Sequence, residues 1–197
     1  MTEKVIGAPE VKTKTVALND RDGVLDYTDA LRGMPSYGTR ALAFAFDYCG
    51  DSDAWTPLFT EIRNFLHGKR LKIFEPDDAA YYYMGRVEVG DPAGRVVKQF
   101  AISVVADTWK YKASGVTEIS GEVAPGGALT LPNDWRPVVP DITVTDACAF
   151  ERDGVSYALS GAGVFRIPQL ALAPGDNVIE FTDGSGLITF RYQEGAL

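Results

Sequence analysis

Leu42, Phe44, Phe46 and Tyr48 fall at every second position, with small or charged residues between them up to Asp47. A period of two puts one set of side chains on one face of an extended strand and the other set on the opposite face. This patterning recurs along most of the chain. It predicts further strands at 12–18, 70–74, 81–89 and 96–105, then at 117–123, 127–131, 142–146, 148–151, 155–158, 164–167, 178–182 and 187–192. Gly90-Asp91-Pro92-Ala93-Gly94 suits a hairpin loop between the strands at 81–89 and 96–105, and Pro174-Gly175-Asp176-Asn177 and Asp183-Gly184-Ser185-Gly186 read as turns. Twenty glycines and eleven prolines supply the punctuation that many short strands need. The fold class expected is mainly β.

One segment departs from period two. Between Asp53 and His67, Trp55, Leu58, Phe59, Ile62, Phe65 and Leu66 recur at helical spacing and predict a single amphipathic helix with one apolar face. Asp51, Ser52 or Asp53 can cap its start, Pro57 falls in or near the first turn, and Gly68 is placed to end it. The expected role is a helix docked on a sheet.

Lys112-Ala113-Ser114-Gly115 marks a break, because no lysine follows it. Residues 1–112 hold fifteen Lys/Arg and sixteen Asp/Glu, whereas residues 113–197 hold four arginines and eleven acids. Nearly all of the net charge of −8 therefore belongs to the second segment. This asymmetry predicts two domains, 1–112 and 113–197, each β-sandwich-like, the first carrying the helix.

A chain of 197 residues with 46% hydrophobic residues can bury a real core. Its acidity, with a pI near 4.7, repels nucleic acid and anionic lipid. The start, MTEKVIGAPEV, lacks an apolar stretch of signal-peptide length, and no window reaches the roughly eighteen apolar residues of a membrane span. A soluble protein made in the cytoplasm is expected.

Catalytic chemistry finds little to work with. His67, the one histidine, would have to serve any Ser-His-Asp or Cys-His arrangement, yet its place at the helix end is explained by a cation favouring the helix dipole. Cys49 and Cys148 are far apart, in different predicted domains, and form neither a disulfide framework nor, with one histidine, a zinc set. Asn19-Asp20-Arg21-Asp22-Gly23 fails as a calcium loop: aligning Gly23 with the EF-hand glycine puts Leu18 at the first ligand position and Asp29 where a bidentate Glu belongs. It reads as a polar turn, and Asp77-Asp78 beside Pro76 as a loop. Nothing selects a carboxylate pair for glycoside hydrolysis. Gly121 to Gly127 lacks the Gly-Lys-Ser/Thr ending of a phosphate loop. No catalytic, cofactor-binding or metal-binding residue is assigned.

Aromatic residues remain. Trp109, Trp135 and the run Tyr81-Tyr82-Tyr83 could serve core packing, a protein interface or a sugar platform. Consecutive strand residues face opposite sides, so at least one of the three tyrosines must leave the core of a one-sided sheet, where a subunit interface would use it.

Read in order, several stretches resemble the distal tail proteins of siphophages, the adaptors at the tail tip. They are Pro9–Thr13 leading into Asn19–Leu31, Tyr37–Phe46, Leu66–Ile73, Tyr81–Val87, and Phe100–Val104 through Trp109–Lys112, with Leu172–Phe181 and Ile188–Leu197 similar to the family's ending. The region 113–140 carries no recognised motif. The resemblance implies a ring-forming "belt" domain that assembles as a homo-hexamer and a galectin-like or carbohydrate-module-like C-terminal β-sandwich. It also implies a structural virion protein, not an enzyme, at the tail tip and assembled in the host cytoplasm. Implied partners are the tail tube protein, the tape-measure end, the tail-tip protein and the receptor-binding protein. No galectin-type sugar site carries over, because 113–197 has no His-Asn-Arg set with a stacking Trp. The alternatives left open are a free carbohydrate-binding module and another tail protein such as a tube subunit.

Overall fold

The computed structural model describes residues 1–17, 24–26, 28, 35–94 and 96–197. The Asn19–Gly23 turn lies outside the described residues. Among the described residues strands predominate and there is one α-helix, the mainly β class expected from the patterning. The chain divides into two compact units, one of Met1–Phe74 with Tyr83–Thr108, the other of Glu75–Tyr82 with Trp109–Leu197.

The first unit contains β1 (Glu3–Ile6), β2 (Val11–Lys12), β3 (Thr15–Ala17), β4 (Val24–Asp26), β5 (Ser36–Tyr37), β6 (Arg40–Tyr48), α1 (Ser52–Leu66), β7 (Arg70–Phe74), most of β8 (Tyr81–Val89) and β9 (Lys98–Ala106). Its main sheet runs β1-β6-β9-β8, with β7 also on β8, and β2·β5 and β3·β4 form separate ribbons. Cross-strand partners share a face, so the registers sort the side chains. Ile6↔Leu42↔Val104↔Val87 forms one inward row and Phe44↔Ile102↔Val89 the next.

The helix covers that inward face. The Asp51 carboxylate caps it by accepting from the Asp53 N–H at 3.0 Å. At the far end the His67 N–H still reaches the Arg63 carbonyl, and Gly68, at φ +77°, turns the chain away. Pro57 stands in the second turn instead of the first, so the Asp53 carbonyl receives no intrahelical donor from it. Trp55 and Phe59 are buried and Ile62 and Leu66 half-buried, but Leu58 and Phe65 are 38% and 68% exposed. At 100° per residue Leu58 and Phe65 lie on one flank of the stripe, so of the six expected apolar residues Trp55, Phe59 and Leu66 pack in the core with the sheet, Ile62 is half-buried, and two stay exposed. Trp55 packs on Phe59 at 5.2 Å and on Phe100 at 5.9 Å between ring centroids.

The second unit begins with a short 3-10 turn at Pro76–Asp78 and the first two residues of β8. It continues through β10 (Lys110–Lys112), β11 (Thr117–Glu122), β12 (Ala128–Asn133), β13 (Asp141–Val144), β14 (Cys148–Arg152), β15 (Val155–Leu159), β16 (Gly163–Arg166), β17 (Gly175–Gly184), β18 (Leu187–Tyr192) and β19 (Gly195–Ala196). Two four-stranded sheets, β11-β18-β13-β16 and β12-β17-β14-β15, pack face to face. Leu131, Ile142, Phe150, Leu170, Leu172, Ile179, Ile188 and Phe190 between them are fully buried.

The turn expected at Pro174–Asn177 is instead largely strand. Gly175, Asp176 and Asn177 pair with Asn133, Pro132 and Leu131, and the buried Asn177 amide donates to the carbonyls of Leu131, Ala173 and Gly175. Asp183 and Gly184 likewise still pair with β14, leaving the tight turn to Ser185-Gly186.

Candidate functional site

The tyrosine run lies where β8 changes neighbours. Tyr83 enters the core of the first unit, with the Arg40 guanidinium 5.2 Å above its ring and donating to its hydroxyl at 3.4 Å. Tyr82 is also buried, 5.7 Å from the Tyr111 ring, since Tyr82 and Tyr111 are register partners of β8 and β10. Tyr81 donates to the Asp134 carboxylate at 3.1 Å and lies under the Lys110 ammonium. Burial first, and then the Asp134 carboxylate, raises the pKa of its phenol. Tyr82, which alternates against Tyr81 and Tyr83 along the strand, thus has a ring partner in Tyr111, which the run itself did not reveal.

Tyr81 opens onto a cleft that sequence distance hides. Lys110 and Tyr111 of β10 pair with Ala196 and Gly195 of β19. On its other side, the Gly195 carbonyl accepts from the N–H groups of Trp135 and Arg136 at 3.2 and 2.9 Å. Three segments therefore meet at Gly195, where an added Cβ would lie 2.4 Å from the Lys110 carbonyl oxygen. The result is a cleft of about 470 Å³ lined by Tyr81, Trp109, Lys110, Trp135, Ala196 and Leu197. Trp135 is 67% exposed. Lys110 is engaged by the Asp78 carboxylate at 2.6 Å.

Beneath this region lies a buried carboxylate. Glu194, 4% exposed, accepts from Lys112 Nζ at 3.1 Å, from the Asp134 N–H at 3.1 Å and from the Thr117 hydroxyl. Lys112 also pairs with Asp134 at 3.2 Å. Burial lowers the Lys112 pKa, but the hydrogen bonds and charges of Glu194 and Asp134 outweigh it and raise the value overall. Gln193 adds donors to the Lys112 and Gly115 carbonyls, so the Lys112–Gly115 break is a pinned turn.

The first unit offers a surface of another kind. The face of its sheet opposite α1 shows the rows Glu3↔Ala45↔Ala101, Val5↔Ala43↔Ser103↔Glu88 and Ala41↔Val105↔Arg86. Apart from half-buried Ala45 these residues are exposed, Val105 at 61% and Val5 at 51%. Alanine and serine at its centre leave little side-chain bulk above the backbone.

The other residues singled out by sequence have local roles. His67 Nδ1 accepts from the Val89 N–H at 3.1 Å, and an accepting nitrogen carries no proton. The ring therefore ties β8 to the helix end. Cys49 is exposed, and burial raises the pKa of the Cys148 thiol. Asp78 accepts from Lys110, and Gly121 to Gly127 runs from β11 through a turn into β12. Among the described residues no group of three or more His, Cys, Asp or Glu side chains is arranged to hold a metal ion.

No family model matches the chain, and no curated protein matches it in sequence. Among solved structures, its fold is similar to that of the Dit protein of phage SPP1, described as a paradigm of the hub adsorption apparatus in phages infecting Gram-positive hosts. The TM-score is 0.66 at 16% identity, over 98% of this chain and 92% of that one. The resemblance to distal tail proteins therefore holds at the level of the fold, over nearly the whole of both chains.

Proposed function

We propose that this protein is a structural component of a bacteriophage tail hub, a distal tail protein of a long-tailed phage without catalytic activity. The observation that carries this reading is the end-to-end fold similarity to a phage hub protein. In this reading six copies close into a ring at the virion tail tip after assembly in the host cytoplasm. The ring joins the tail tube and tape-measure end to the tail-tip protein and the receptor-binding apparatus. Residues 1–112 do the ring-forming work, and residues 113–197 form an outward, galectin-like β-sandwich.

Two physical features support the assignment. The small side chains of Ala41, Ala43 and Ser103 on the exposed face let another surface approach the sheet closely, and a ring needs such a face to meet a different patch of the next copy. The near-neutral first segment can gather in six copies with little self-repulsion, whereas the acidic second would resist such crowding.

Light scattering on the purified chain over a range of concentrations, with negative-stain imaging, tests this. Rings of six are expected. A strict monomer that also fails to assemble with the neighbouring tail-tip protein would end the proposal.

A further inference from the structure

We infer that the Trp109–Trp135 cleft of the second unit is a binding site for a neutral glycan, with a pyranose ring stacked on Trp135. A volume of about 470 Å³ lies within the roughly 300–1,000 Å³ of small-molecule sites. Trp135 is the most exposed of the three tryptophans; Trp55 is buried in the first unit's core. An indole held at a cleft mouth offers a flat apolar surface to the C–H face of a sugar. The Trp135 backbone is fixed by its N–H bond to Gly195, and the next residue's N–H bonds to the same carbonyl, so the indole projects from an anchored position.

The polar groups beside it decide the ligand class. Lys110 is held by Asp78, and the Tyr81 hydroxyl by Asp134, so the cleft presents a neutralised cation with carboxylate acceptors nearby. The Tyr81 hydroxyl, which gives its proton to Asp134, keeps an oxygen lone pair that can accept from a sugar hydroxyl, and the acidity of the surrounding segment repels phosphate- or carboxylate-bearing polymers. The lining is mainly apolar, with the Tyr81 hydroxyl and the Lys110 ammonium as polar groups among it, a mixture that matches a pyranose with an apolar C–H face and a rim of hydroxyls.

The full chain on an array of neutral hexose and N-acetylhexosamine oligosaccharides, with anionic glycans alongside, tests the site. Saturable binding to at least one neutral glycan is expected, weakened about tenfold or more by Trp135→Ala and by Trp109→Ala, with Trp135→Phe retaining most of it. Absence of any neutral-glycan signal, binding confined to anionic glycans, or binding indifferent to Trp135→Ala would overturn the inference. So would loss of a tail-protein contact in Trp135→Ala with no glycan signal in the parent. Light scattering on the same samples keeps this apart from the hub reading, since rings that bind no sugar defeat only the glycan site.

Discussion

In the first unit one helix covers one face of the β1-β6-β9-β8 sheet, and the opposite face stays exposed around Ala43, Ser103 and Val105. In the second unit two sheets cover each other, and their outward faces carry the polar residues. A sheet half-covered in a single chain gains from a neighbour, whereas a closed sandwich needs none. The contrast is also electrostatic. On the outer face of the β11-β18-β13-β16 sheet, Glu118↔Arg191↔Asp141↔Arg166 alternates in sign from strand to strand. On the β12-β17-β14-β15 sheet, Glu151 directly opposes Glu180, a like-charge pair that costs stability. All four arginines of the acidic segment are engaged elsewhere: Arg166 and Arg191 in the ladder, Arg136 on Tyr111 and Gln193, and Arg152 on Asp153 and the Ala171 carbonyl.

The strongest way to break this contrast is to open the sandwich. Phe150→Ala removes a fully buried ring that meets Tyr157 and Phe190, and should cost about 4–5 kcal/mol in denaturant unfolding. Phe59→Ala, at the edge of a one-sided core, should cost less, about 3 kcal/mol. Equal losses would mean that the two cores are equally closed.

Glu194→Gln sharpens the comparison inside the second unit. It weakens the acceptor shared by Lys112, Thr117 and Asp134, and about 1–3 kcal/mol is expected. The same cluster makes the protein alkali-sensitive. Lys112 has a folded pKa raised above 10.5, and burial, aided by the Glu194 charge, pushes Tyr192 from 10.0 up to about 12. Both groups keep their protons in the folded chain after the unfolded chain has released them. Their contribution is therefore complete below about pH 10 and lost as pH rises toward 12. Melting temperature should fall across that window, and Tyr192→Phe should flatten part of the fall.

The smallest effect on stability belongs to the open face. Ala43→Arg should change unfolding by no more than about 0.5 kcal/mol, because the side chain is exposed, yet abolish assembly if that face is the subunit contact.

Much of this architecture is legible in the sequence where the signal is local. Period two located β6, β8, β9 and most strands of the sandwich, and helical spacing located α1 to within one residue at each end. What escaped was short or non-local. β10 and β19 have three and two residues, too few to alternate, and β1 reads Glu-Lys-Val-Ile, with its apolar residues adjacent; all three are held by partners far along the chain. The cleft escaped for the same reason. Trp109 and Trp135 were visible as aromatic residues, but only the β10–β19 pairing and the Gly195 carbonyl bring them to one place. The tyrosine run showed that one ring must leave the core, not that Tyr111 would cover it.

In the proposed hub the half-covered first unit is completed by copies of itself. Mass measurement of the parent chain and of Ala43→Arg by light scattering, at matched concentrations, tests it most directly. The expected result is a hexamer for the parent and a folded monomer for the variant; a parent that stays monomeric at every concentration, or a variant that still forms the ring, would contradict it.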